Sequence, residues 1–240
     1  MFDREHHERI RKIMNCLDRD LMNAAEAYFG GGTSIVLQIG EYRESVDIDF
    51  MCATGQPGWR KLRTAFHERQ FRGIFPDHAI TEASEFFSDQ YGIHGWVSVD
   101  EKRDVKFEIV AEARVPLSGT MNSDLGVLEL DHLGLFVQKL CANVDRASDP
   151  TSMHRYILDI LMMERHWGAI PEKAFEIAEG HYGPSVRSAY ESSLQAISMR
   201  TRLEECCEAM EITDGVRNEI ISQLGDRYQD DFMDSLLPTE

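Results

Sequence analysis

Residues 30–50 read GGGTSIVLQIGEYRESVDIDF and join a glycine-rich corner to an Asp-X-Asp pair, Asp47 and Asp49. On a strand these two side chains project from the same face, because side chains alternate across a strand. Neighbouring carboxylates repel each other unless a cation lies between them. Mg²⁺ prefers oxygen ligands and commonly binds one or two carboxylates together with substrate phosphates. The pair therefore predicts a divalent metal site.

The glycine corner adds a feature that suits phosphate. Gly31 and Gly32 allow a close backbone approach, and Thr33 or Ser34 can cap a helix whose free N–H groups attract phosphate. The β-branched residues of 34–39 favour a strand, whereas the caps and the following Gly40 favour a short helix. A plainer interpretation stays open, since diglycine turns are common and an Asp-Ile-Asp strand can simply face solvent.

The combination of Gly31-Gly32-Thr33 with Arg43-Glu44-Ser45-Val46-Asp47-Ile48-Asp49-Phe50 resembles the signature of the AbiEii/AbiGii-type nucleotidyltransferase toxins. The resemblance favours the helix for residues 34–39 and implies Mg²⁺ or Mn²⁺ at Asp47 and Asp49. It also implies a nucleoside triphosphate held by Gly31, Gly32, Thr33, Ser34, Arg43, Ser45 and Arg155.

A third metal carboxylate is expected on a neighbouring strand. Residues 94–99 and 104–110 alternate in polarity around a short polar turn, which is typical of two antiparallel strands. The superfamily usually places a further carboxylate beside the Asp-X-Asp strand, and Glu108 is the best candidate by that resemblance. Alternation alone also exposes polar residues, so Glu108 could equally be a solvent-facing side chain.

A second group of residues extends the resemblance. The family carries a lysine on one helix, then an arginine, then an Arg-Asp-X-X-Asp element, and Lys139, Arg146, Arg155 and Asp159 match these positions. Tyr156 stands where the family usually has the first Asp of that element. Lys139 would neutralise phosphate oxygens. Asp159 would pair with Arg155 at i+4, orient Lys139, or help deprotonate the attacking hydroxyl. The alternative is a solvent-facing lysine and a surface ion pair.

The bulk composition limits the classes of protein. The chain has 240 residues, 42% of them apolar, and a formal net charge of −17. Such acidity argues against a broad duplex-binding surface, which needs many cations, and suits a basic protein partner. No apolar run approaches a membrane span, and the N-terminus lacks a secretory signal. The odd count of five cysteines and their spacing fit a reducing cytoplasm. The histidines lack metal-ligand spacing, so surface or packing roles are expected for them.

These patterns predict an α+β protein. The expected fold is a nucleotidyltransferase-like N-terminal half, residues 1–120, with a small mixed β-sheet flanked by helices, followed by an all-helical half, residues 121–240. Helices are predicted at 3–27, 59–70, 131–145, 152–167, 171–179, 184–209 and 214–224, and short strands at 27–29 and 46–52. The acidic tail from Asp230 to Glu240 is expected to be loosely held.

One predicted helix carries the most basic stretch of this acidic chain. Residues 59–70 present Arg60, Lys61, Arg63 and Arg69, extended by Arg72. This face is either a solvated helix surface or a contact for an acceptor nucleic acid or the triphosphate.

The sequence thus favours metal-dependent nucleotidyl transfer, with Asp47, Asp49, Lys139 and Asp159 as catalytic residues. By the family resemblance the acceptor is the 3′ end of tRNA, and the protein is a cytoplasmic toxin with a cognate antitoxin and no membrane association. Two alternatives stay open: nucleotide transfer to a protein hydroxyl, or a non-catalytic interaction protein that keeps the fold.

Overall fold

The computed structural model describes residues 2–100, 102–146 and 149–228. Contacts divide the chain into two compact units, Met1–Glu41 with Ser45–Leu135 and Tyr42–Glu44 with Phe136–Glu240. The predicted boundary at residue 120 is therefore displaced. Two strands that the sequence analysis missed, at Gly119–Asn122 and Val127–Leu130, extend the sheet of the first unit beyond it. The acidic tail from Asp230 lies outside the described residues.

The first unit contains a seven-stranded mixed sheet, which is larger than the small sheet expected. Its strands are β1 (Tyr28–Gly30), β2 (Ile48–Ala53), β3 (Thr81–Ser88), β4 (Gly92–Ser98), β5 (Val105–Glu112), β6 (Gly119–Asn122) and β7 (Val127–Leu130). Their order in the sheet is β3-β4-β5-β2-β1-β7-β6, in which the β1–β7 and β2–β5 pairs are parallel and the other neighbours are antiparallel.

The register aligns polar residues in a row across the sheet. Asp49 is paired with Gly30 of β1 on one side and with Glu108 of β5 on the other. Glu108 is paired in turn with His94 of β4, which is paired with Phe87 of β3. Directly paired residues project from the same face of a sheet, so this row lies on one face.

The opposite face is the core of the first unit. Along β5, Val105, Phe107 and Ile109 are fully buried and alternate with partly exposed residues. Phe107 lies between the rings of Phe50 and Phe75, with centroids 5.9 and 4.8 Å away, in the range of favourable aromatic pairs. This apolar packing fixes the register and therefore fixes which side chains reach the polar row.

The helices of the first unit follow the predicted amphipathic pattern with one difference. They are α1 (Glu5–Asn15), α2 (Arg19–Ala24), α3 (Gly31–Gln38) and α4 (Pro57–Arg69). The helix predicted for residues 3–27 is split in two because Asp18 caps α2, accepting a 3.0 Å hydrogen bond from the Leu21 N–H. The helix predicted at 34–39 is confirmed and begins three residues earlier.

The second unit is helical in its described part. Helix α5 (His132–Arg146) begins within the first unit and continues into the second, and the remaining helices are α6 (Arg155–Trp167), α7 (Glu172–Tyr182), α8 (Ser185–Ser198), α9 (Arg200–Ala209) and α10 (Asp214–Tyr228). The predicted helix 184–209 is interrupted at Met199, whose extended backbone (φ −74°, ψ 118°) breaks the helical hydrogen bonds. Over the described ranges, every helix is too short or too polar to cross a bilayer.

Candidate active site

The glycine corner and the Asp-X-Asp strand are in contact. Gly31 opens α3 with a left-handed backbone (φ +70°), and a Cβ placed on it would lie 2.1 Å from Asp49 Oδ2. Only glycine fits a site with both a left-handed backbone and a carboxylate at this distance. The structure therefore brings together Gly31 and Asp49, as the sequence predicted.

Thr33 and Ser34 have a different role from the one expected. Both side chains are buried, and the N-cap of α3 is Gly30, which has no capping side chain. The Thr33 hydroxyl donates to the Asp47 carbonyl oxygen and lies 2.9 Å from Ser45 Oγ. Ser34 Oγ donates to Glu129 Oε1 at 2.9 Å. These hydrogen bonds stabilise the glycine corner and occupy both hydroxyls. A bound phosphate would therefore be contacted by the backbone N–H groups of the first turn of α3.

A buried histidine that the sequence analysis passed over holds the segment before Asp47. His7 is fully buried on α1, and its Nδ1 lies 2.6 Å from Glu41 Oε1. Its Nε2 accepts a 3.0 Å hydrogen bond from the Ser45 N–H, so Nδ1 is the protonated nitrogen that donates to Glu41. The resulting chain of hydrogen bonds runs from Glu41 through His7 and Ser45 to Thr33. No spacing signal marks such a network in the sequence.

A lysine lies among the predicted metal carboxylates. Lys106 is on β5, two residues before Glu108, and its Nζ lies 2.8 Å from Glu108 Oε2. Burial acts to lower the pKa of this ammonium, but the hydrogen bond to Glu108 and the charges of Glu108, Asp47 and Asp49 raise it above its ordinary value. Glu108, Asp47 and Asp49 therefore all stabilise the positive charge of Lys106. Lys106 was not among the predicted site residues.

The donor set fits a divalent ion held by two carboxylates. Asp47 and Asp49 are half-buried oxygen donors beside the glycine corner, which is the chemistry that Mg²⁺ prefers. In residues 2–100, 102–146 and 149–228, no group of three or more His, Cys, Asp or Glu side chains is close enough to hold a metal. Glu108 contacts His94 Nδ1 at 3.0 Å as well as Lys106. Asp47, Asp49 and Glu108 are therefore not already grouped as three metal ligands. His94, which was expected to be a surface or packing residue, is a partner of Glu108.

The second unit contains a buried ionic cluster. Asp159 is fully buried and accepts hydrogen bonds from Arg43 Nε at 2.7 Å and Arg43 Nη2 at 2.9 Å. Lys139 Nζ lies 2.7 Å from Asp159 Oδ2, and the Tyr42 hydroxyl donates to Asp159 Oδ1. Burial acts to raise the pKa of Asp159, but the charges of Arg43 and Lys139 hold it below its usual range. The predicted surface alternatives for Lys139 and Asp159 are wrong, because both residues are buried.

Arg155 is not the partner of Asp159, contrary to the first of the expected arrangements. Asp159 is instead saturated by Arg43 and Lys139, whereas the Arg155 guanidinium lies 5.3 Å from the centre of the Tyr156 ring. Lys139 Nζ lies 5.4 Å from the same ring. Arg155 Nε is buried and has no hydrogen-bond partner among the residues that the structure describes. Arg146, the remaining match to the family pattern, makes a 3.6 Å ion pair with Asp149 and is largely exposed.

The basic stretch on α4 is divided between two roles. Lys61 Nζ donates to the Ala24 carbonyl at 2.9 Å, and Arg72 donates to the Asp77 carbonyl at 2.6 Å. Arg60 and Arg63 are exposed and line a cavity of about 790 Å³ together with His67. Lys61 and Arg69 are exposed as well and line a cavity of about 440 Å³ with Arg60, so the expected basic face is present.

Comparisons with known proteins place these features in context. Residues 16–234 match the family described as nucleotidyl transferase AbiEii toxin, type IV TA system. No curated protein shows a significant match. JHP933 from Helicobacter pylori is 16% identical, with a TM-score of 0.37 over 84% of this chain and 99% of that one. An H. pylori protein provisionally assigned as a nucleotidyltransferase is 11% identical, with a TM-score of 0.36 over 90% and 95%. The two structural similarities are too weak to support an argument.

Proposed function

Because the chain belongs to the family of AbiEii nucleotidyltransferase toxins of type IV toxin–antitoxin systems, we propose that it transfers a nucleoside monophosphate from an NTP to an acceptor hydroxyl. Pyrophosphate is the leaving group, and the reaction requires Mg²⁺ or Mn²⁺. The observation that supports this proposal is the close approach of Gly31 to Asp49 Oδ2, which brings the glycine corner at the start of α3 beside an acid of the Asp-X-Asp pair.

In the first unit, Asp47 and Asp49 would hold the metal, and Glu108 would join them after separating from Lys106. A bound divalent ion supplies charge neutralisation on the triphosphate. The backbone N–H groups of Gly32, Thr33 and Ser34 face the phosphates at the start of α3, where helix N-termini favour anions. Catalysis then depends on positioning and on charge stabilisation.

In the second unit, the cluster around Asp159 has two cations and one carboxylate, a net charge of +1. Lys139 is the cation that would neutralise phosphate oxygens, because it retains two further N–H donors after its contact with Asp159. Asp159 holds that ammonium in place, and Arg43 holds Asp159. This arrangement supports the orienting role for Asp159 and gives Arg43 a positioning role in addition to its expected nucleotide contact.

The family implies an antitoxin as the partner of this protein. We propose the cytoplasm as its location and the 3′ end of tRNA as its acceptor. Transfer to a protein hydroxyl remains the second possibility within the same chemistry. The net charge of −17 suits a basic surface on a protein partner such as the antitoxin.

Labelled triphosphates with Mg²⁺ and either total tRNA or total protein test the proposal directly. We expect label in RNA for the wild type and loss of transfer for Asp49→Asn, which keeps the side-chain shape but removes the charge. Asp124→Asn, at an exposed acid of the same unit, is the matched control and should retain full transfer. Label in protein would redirect the acceptor assignment. Undiminished pyrophosphate release by Asp49→Asn would refute the metal role.

A further inference from the structure

Three large aromatic side chains are exposed beside the candidate active site. Phe87 is 54% exposed, Tyr91 66% and Trp96 44%. They lie on β3, on the turn between β3 and β4, and on β4, and we refer to them as the aromatic platform. Exposed aromatic residues that cluster on one surface mark interaction sites more often than scattered ones do.

The aromatic platform shares a sheet face with the carboxylates. Phe87 is the last member of the paired row that contains Asp49, and Trp96 is paired with Lys106 in the next row. Strands lie about 4.8 Å apart, so Trp96 is about 10 Å and Phe87 about 14 Å from the metal-bearing strand β2. A cavity of about 440 Å³ is lined by all three aromatic residues together with Lys106 and Glu108. The aromatic surface therefore leads directly to the candidate active site.

Basic side chains accompany the aromatic platform on both sides. His94 lies beneath Phe87, with ring centroids 5.3 Å apart, and shares the 440 Å³ cavity with Lys106. Phe87 also lines the neighbouring cavity of about 790 Å³, whose wall on α4 carries Glu68 and three basic residues, Arg60, Arg63 and His67. We call these three residues the basic cluster. It stands out in a chain with a net charge of −17.

We propose that the aromatic platform stacks unpaired bases of a single-stranded nucleic acid, and that the basic cluster contacts the phosphates of that strand. This inference rests on the proposed function, because it assigns the acceptor and places it about two strands from Asp49. Aromatic side chains alternating with cations are the surface that single strands recognise, since every base has a π-face. Ser84, Asp89 and His94 interrupt the aromatic platform, so it offers no continuous apolar patch for a protein core contact.

Binding can be measured without turnover by using the Asp49→Asn protein. The probes are an eight-nucleotide single-stranded RNA, an abasic strand of the same length and charge, and a blunt duplex of the same sequence. We expect the single strand to bind at least tenfold more tightly than the abasic strand. Trp96→Ala and Phe87→Ala should each weaken single-strand binding by about tenfold, and Trp96→Phe should restore most of it. Met121→Ala, at a residue 51% exposed on β6 at the other edge of the sheet, should change nothing.

The outcomes separate this inference from the proposed function. Binding that depends on the aromatic platform, together with a wild-type protein that transfers no nucleotide to RNA or to protein, would support the platform and refute the proposed function. Transfer with an unchanged acceptor KM in Trp96→Ala and Phe87→Ala would refute the platform alone. Equal binding of the abasic strand, or a change confined to the KM for NTP, would also overturn it. Loss of protein labelling in these variants with unaltered RNA binding would show that the surface recognises a protein instead.

Discussion

The carboxylate of Asp49 lies against the α-carbon of Gly31, so closely that a single added methyl group would be 2.1 Å from Asp49 Oδ2. Gly31 is the first residue of α3 and Asp49 lies on β2, 18 positions later in the sequence, yet they behave as one structural element. Any change that fills the corner must move the acid.

Gly31→Ala should therefore abolish transfer, with at least a hundredfold loss, because Asp49 would be displaced from the position in which we propose that it binds the metal. Gly40→Ala is a close control, since Gly40 also has a positive φ (+75°) but nothing lies within 4 Å of its added Cβ. Both variants should lose roughly 1–2 kcal/mol of stability from the left-handed backbone. Transfer kinetics and denaturation of both proteins test this. Equal activities of the two variants would contradict the steric account.

Asp159→Asn should destabilise the protein by about 3–5 kcal/mol, because it leaves the Arg43 and Lys139 charges buried without an anion. Asp145→Asn alters an exposed carboxylate that accepts from Tyr182 at 2.7 Å, and it should cost less than about 1.5 kcal/mol. Urea denaturation of both variants measures the difference. Similar losses for the two would show that the cluster around Asp159 contributes little.

The stability difference between wild type and Asp159→Asn should depend on pH. The pKa of Asp159 is lower in the folded protein than in the unfolded chain, so its stabilisation is present above the unfolded pKa and is lost as pH falls toward the folded one. An unfolded Asp titrates near about 3.9. The gap in unfolding free energy between wild type and Asp159→Asn should therefore be constant from about pH 6 to 8 and shrink below about pH 4. A difference in unfolding free energy that grows as the pH falls would contradict the predicted direction of the pH dependence.

Lys106 and Glu108 should shift the magnesium requirement in opposite directions. Glu108→Gln removes a proposed ligand and should raise the Mg²⁺ concentration for half-maximal transfer by about tenfold or more. Lys106→Gln removes a cation that competes for the same acids and should lower that concentration. Magnesium titrations of transfer rate test both, with Lys102→Gln at an exposed lysine as the control. Unchanged titrations in a folded Glu108→Gln protein would exclude Glu108 as a ligand.

His7→Phe should cost about 1–3 kcal/mol, because the buried Ser45 N–H loses its only described acceptor. Glu41 loses the ring nitrogen that donates to it at the same time. His78→Phe changes an exposed histidine and should be close to neutral. Thermal denaturation of both variants is the measurement. If the two melt at the same temperature, the hydrogen bonds of His7 do not hold the segment before Asp47.

Local sequence features predicted the central elements of the fold. The Gly31 corner and β2 follow from residues close together in the chain, and the alternation of residues 94–110 identified β4 and β5. Helix α3 was chosen over a strand partly because of the family resemblance. Strand β3 was missed because seven of its eight residues are exposed, so the alternation that reveals a half-buried strand is absent. Strands β6 and β7 have only four residues each, which is too short for a pattern.

The site itself depended on contacts that spacing cannot show. Asp159 was expected to pair with Arg155, four residues away on its own helix, but its partner Arg43 is 116 residues distant. In the sequence, Lys106 is only one of the alternating residues of the predicted strand 104–110. In the fold, the charges of Glu108, Asp47 and Asp49 all act on it. Sequence patterns report helix and strand faces, whereas such partners are decided by the tertiary fold.

The short segment Tyr42–Glu44 belongs to the second compact unit although both of its flanks belong to the first. No single cut in the chain can therefore separate the two units intact. A fragment that starts at residue 136 would carry Lys139 and Asp159 but lack Arg43. Synthesis proceeds from the N-terminus, so Arg43 can pair with Asp159 only after Asp159 has emerged from the ribosome. The nascent chain therefore cannot complete its ionic cluster until most of its length has been translated.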